Sequence, residues 1–72
     1  MSNFAERLKE LRQEKSLSIQ KLSQELDNKI SKSSICAWEL NQQIPSLESA
    51  IILAKYFNVS LDYMAGLTDY NE

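Results

Sequence analysis

The chain has no histidine, and only one cysteine, one glycine and one proline in 72 residues. Each shortage removes a class of explanation. A single cysteine cannot form an internal disulfide, and Cys36 with no histidine in the chain leaves no donor set for structural zinc, so no metal is expected. Without histidine, a paired nucleophile and base, or a glycine-rich phosphate loop, no catalytic constellation can be drawn, and neither an enzyme nor a cofactor is expected. No apolar stretch approaches the roughly 20 residues that span a bilayer, and no basic segment leads into an apolar run as in a signal peptide. The expectation is a cytoplasmic protein with no membrane contact. With so little glycine and proline, and no alternating segment bounded by hairpin residues, there is no place for strands.

What remains must fold by helix packing alone. At this length it makes one domain, residues 1–72 with a short polar tail at 68–72, near the lower limit at which a single core suffices. From about Asn3 to Lys15, Phe4, Leu8 and Leu11 recur at helical spacing, and Asn3 with Glu6 makes a capping pair. Ser18 caps a second helix with a stripe of Ile19, Leu22 and Leu26. A third helix covers 31–40. Pro45 prevents its continuation, Ser46 caps a fourth, and Leu47, Ala50, Ile51, Leu53, Ala54 and Phe57 predict a broad buried stripe ended by Asn58. Ser60 caps a short fifth helix, with Gly66 as its stop. The reading is an all-α, compact five-helix domain.

The third helix carries the most informative pattern. Ser31 can accept from the backbone of Ser33 or Ser34, and Ile35 and Trp38, three apart, share a face that must be buried. That leaves Lys32, Ser33, Cys36 and Ala37 outward. Such a short, polar, lightly charged face suits a major groove, where side chains must reach base edges without bulky obstruction. The formal net charge of −2 argues against a nonspecific nucleic-acid coat, yet residues 1–44 hold seven of the eight basic residues. That gradient points the front half toward a polyanion.

In these residues the chain resembles the helix-turn-helix family of phage repressors, Cro proteins and related bacterial regulators of the xenobiotic-response-element type. The marks run from Phe4 to Leu67: Arg7-Leu8-Lys9-Glu10-Leu11-Arg12, Leu17-Ser18, Leu22, Leu26, Ile30-Ser31, Ile35, Trp38-Glu39, Pro45-Ser46-Leu47, Leu53-Ala54-Lys55 and Val59-Ser60-Leu61-Asp62. The resemblance implies a lambda-repressor-like domain whose second and third helices form the reading unit. It also implies a sequence-specific transcriptional regulator, a repressor, that binds double-stranded operator DNA with an inverted repeat as a homodimer. Base contacts would fall to Lys32, Ser33 and Ala37, with Cys36 on the same face. Backbone contacts would fall to Ser18, Lys29, Ser31, Ser34, Asn41, Gln42 and Gln43. Arg12 and Glu39 would form a partly buried ion pair.

Three departures from the family stand out. Ile19 replaces a polar residue, the turn Asn41-Gln42-Gln43 lacks a basic side chain, and Asp27-Asn28-Lys29 makes the link between helices two and three two residues longer. The uncharged turn predicts modest affinity per subunit and a shallow salt dependence. Asn28 suits a left-handed conformation in place of glycine. Ile52 and Tyr56, with Tyr63 and Met64, read either as a dimer patch or as a wider core. The rival function is a protein-interaction module on the same scaffold, an antitoxin or adaptor with a protein partner.

Overall fold

The computed structural model describes residues 2–66. The side chain of Asn3, expected to pair with Glu6, and the tail 68–72 lie outside the described residues. Five helices follow in order: α1 Ser2–Glu14, α2 Ile19–Glu25, α3 Lys32–Glu39, α4 Leu47–Phe57 and α5 Leu61–Ala65. No strand occurs among the described residues.

Four helices begin in the same way. Ser18, Ser31, Ser46 and Ser60 each hold an extended backbone, and each hydroxyl accepts from the amide three residues on, at Lys21, Ser34, Ser49 and Tyr63. Each bond satisfies one of the orphan N–H groups of a first turn.

The helix ends are equally regular, and they use almost no glycine. After α1 the amide of Leu17 donates to the Arg12 carbonyl and that of Ser16 to Gln13. The same pair of bonds recurs as Asn28 to Ser23 with Asp27 to Gln24, as Gln42 to Ala37 with Asn41 to Trp38, and as Val59 to Ala54 with Asn58 to Lys55. These are Schellman motifs. The residue that must turn left-handed is Ser16, Asp27, Asn41 or Asn58, each with φ between 56° and 61°. Glycine takes that position only after α5, at Gly66.

The core gathers Phe4, Leu8, Leu11, Leu22, Leu26, Ile30, Ile35, Trp38, Leu53, Phe57 and Met64. α1 packs on α3 and α5, α2 on α3, and α4 on α5. Helix four departs from expectation. Its buried residues are Leu53, Ala54 and Phe57, whereas Leu47 in its first turn and Ile51 one turn later are exposed. Leu47 instead lines an open apolar groove of about 370 Å³ with Phe4, Ile44, Pro45, Leu61 and Ala65.

The suggested dimer patch needs a matching correction. Met64 is fully buried, and Ile52, Tyr56 and Tyr63 are partly buried against the core. Tyr56 meets Phe57 edge-on and donates to Glu25 Oε1 at 3.3 Å, tying α4 to α2. Partial burial, with the Glu25 carboxylate beside it, raises the Tyr56 phenol above its usual pKa. Tyr63 lies under the Arg7 guanidinium, 4.1 Å from its ring centre. The wider-core alternative accounts for Met64.

Candidate nucleic-acid interface

α3 starts where its sequence says it should, because the Ser31 hydroxyl takes the Ser34 amide at 3.2 Å and also donates to the Ser34 hydroxyl at 3.1 Å. Ile35 and Trp38 turn inward and are buried, with Trp38 edge-on to Phe4 at 6.3 Å between ring centres. Burying that stripe fixes the rotation of the helix about its own axis. Lys32, Ser33 and Cys36 are therefore exposed and Ala37 is half-buried, and Cys36 is a free thiol.

Two polar ties then fix α3 against the rest of the fold. Arg12 on α1 grips Glu39 with two bonds, Nε to Oε2 at 2.7 Å and Nη2 to Oε1 at 2.9 Å. Its remaining nitrogen, Nη1, donates to the Leu17 carbonyl at 2.7 Å, so one guanidinium joins α1, the link to α2 and the end of α3. The pair is largely buried, with side chains 13% and 7% exposed, and the hydrogen bond to Glu39 raises the Arg12 pKa despite the opposing effect of burial. Removing one partner would strand a charge at about 3 kcal/mol.

The second tie was not visible in the sequence reading. Among the described residues Ser23 is the one buried polar side chain, and its hydroxyl donates at 2.7 Å to the carbonyl of Ile30, seven residues ahead. Its own carbonyl accepts from Asn28. Between these bonds runs the longer link, in which Asp27 and Asn28 both take positive φ, at 56° and 59°. Asn28 thus adopts the expected conformation, and Asp27 does so as well. A signal for Ser23 did exist: it lies beside Leu22 and four residues after Ile19, within the buried sector of α2.

Around α3 the remaining candidates are all reachable. Ser18, Lys29, Ser31, Asn41, Gln42 and Gln43 are exposed, and Ser34 is half-buried. The first turns of α2 and α3 contain no carboxylate, whereas those of α4 and α5 carry Glu48 and Asp62. The positive ends of the two helix dipoles are thus left unneutralised by their own side chains. Ile19 is half-buried and packs against the core, which explains why it is apolar. Among the described residues no cluster of metal ligands occurs, and no helix is long and apolar enough to cross a membrane.

The helix-turn-helix family model matches residues 8–64. A curated protein of Bacillus subtilis named "Uncharacterized HTH-type transcriptional regulator YobD" is 36% identical over 66 residues, which cover 92% of this chain and 57% of that protein. The chain therefore spans little more than half the length of that relative. No solved structure matches. The family match begins midway along α1, ends within α5 and contains the capped α2–α3 pair. The chain belongs to the helix-turn-helix family of the Cro and phage-repressor type.

Proposed function

We propose that the domain is a DNA-binding transcription regulator, a repressor, in which α3 reads an operator half-site in the major groove. The observation that carries this reading is the presentation of α3: capped and pinned at both ends, it offers Lys32 and Ser33 in its first turn with Cys36 and Ala37 one turn on. The Lys32 ammonium donates to O6 and N7 of guanine, Ser33 donates or accepts, and Ala37 and Cys36 supply short surfaces for a thymine methyl. Ser18, Ser31 and Ser34 at helix starts meet phosphates, as do Lys29 and the amides of Asn41, Gln42 and Gln43. In the backbone set only Lys29 is charged, which keeps counterion release small.

Size supports a dimeric reading. The body measures 27 × 23 × 21 Å, less than the roughly 34 Å between successive major-groove faces on one side of DNA. One copy therefore reads one half-site. The contact between copies is assigned to the segment that follows α3, where Leu40, Ile44 and Leu47 are 61%, 73% and 67% exposed beside the apolar groove. This exposed apolar ridge, whose Ile44 and Leu47 also line the groove, suits a two-fold, self-complementary contact. The second reading, a protein-interaction module, is favoured by the same exposed ridge and by the uncharged turn.

Selection of bound duplexes from a random DNA pool, at low and moderate salt, separates the two. Enrichment of an inverted repeat with half-site centres about 10 base pairs apart is expected. Absence of enrichment at either salt would overturn the operator reading in favour of the interaction module.

A further inference from the structure

We infer that Ser23 is a positioning residue for base reading, one that sets the tilt of α3 through the carbonyl of Ile30. The inference rests on the DNA-reading role proposed for α3. The link between α2 and α3 holds three residues, 27–29, two of them in left-handed conformation, and it hangs between two buried anchors, Leu26 and Ile30. Anchored feet alone leave a three-residue link free to change shape, and α3 begins one residue beyond the second foot, at the cap Ser31. Ser23 closes that freedom from both sides. Its carbonyl holds Asn28 at 3.0 Å, in the middle of the link, and its hydroxyl holds Ile30 at 2.7 Å, at the end of it.

The bond is buried, with Ser23 only 6% exposed, so water cannot readily replace the hydroxyl as donor to the Ile30 carbonyl. Alanine at this position would fit the space but lack the donor. Base reading demands that side chains be held within about 0.5 Å and 10–20° of the productive geometry. Phosphate contacts made by flexible side chains tolerate more. Loss of the tie is therefore read out as lost discrimination between sequences, while general DNA binding persists.

The test compares the parent protein with Ser23→Ala and Ser23→Thr, the second of which keeps the hydroxyl. Residual dipolar couplings of backbone amides give the orientation of α3 relative to α1 and α4, with no DNA present. Competition between the selected duplex and a scrambled one gives discrimination. In Ser23→Ala the α3 couplings are expected to change while those of α1 and α4 stay, and the ratio of specific to nonspecific affinity falls by about tenfold, the loss expected when one base contact is misplaced. Ser23→Thr is expected to restore both. Unchanged α3 couplings in Ser23→Ala would overturn the inference, as would an equal loss of specific and nonspecific binding. A parent protein that selects no duplex would overturn the DNA reading itself, and the couplings would still decide whether Ser23 sets the tilt.

Discussion

Lys32 and Arg12 are both basic residues on helices, and their surroundings give them opposite duties. Arg12 has every nitrogen engaged, two on Glu39 and one on the Leu17 carbonyl, in a site where neither charge is well hydrated. Lys32 is exposed in the first turn of α3. Arg12→Ala is expected to destabilise the fold by about 3 kcal/mol, lowering Tm by more than roughly 10 °C in a domain of this size. Lys32→Ala is expected to leave Tm within about 2 °C and to relax selection at one base position, where a lost bidentate contact is worth about 1–3 kcal/mol. Thermal melts with duplex selection on both variants check the contrast; a selective Arg12→Ala or an indiscriminate fold loss in Lys32→Ala would refute it. Arg12 and Glu39 were legible in advance only through family resemblance, since nothing in their spacing of 27 residues announces a pair. The burial of Ser23 had a signal in its place beside Leu22, but its bond was not legible, because its partner is a backbone carbonyl whose position depends on how the link folds.

Helix starts were readable because a serine cap is local chemistry: the donor lies three residues away in every case. Helix ends were harder. Asn58 and Gly66 were readable as stops, but Ser16 is a poor former of the left-handed state, and the paired bonds of the motif help to hold it there. Ser16→Gly is accordingly expected to raise stability by about 0.5–1 kcal/mol, the relief of left-handed strain outweighing the added freedom of the unfolded chain. Asn58→Gly should gain less, because asparagine already tolerates that conformation. Denaturant midpoints rank the two; a destabilised Ser16→Gly would contradict the assignment. The faces of α4 were legible only in part. Hydrophobic spacing gave a stripe from Leu47 to Phe57, but which side of it meets α5 is settled by tertiary contact, and Leu47 and Ile51 were left outside.

At the scale of the whole molecule, the exposed ridge and the buried stripe make a discriminating pair of substitutions. Ile44→Glu places a charge where the side chain is largely solvated, so the fold should persist while sedimentation equilibrium reports monomers. Binding to a duplex with two half-sites should then fall by about tenfold or more, with little change on a single half-site. Ile52→Glu, by contrast, inserts a charge against the core and should lower Tm instead of separating subunits. An unaltered mass for Ile44→Glu would remove the ridge as the dimer contact. The fastening of α3 has one more consequence. Ser31 and the Ser23 bond secure its start, and Arg12 with the Asn41–Gln42 motif secures its end. A segment that is already ordered has no folding transition left to couple to its ligand. Calorimetry of the complex should thus return the small heat-capacity change of two rigid surfaces meeting, without the large negative value that accompanies a helix forming on DNA.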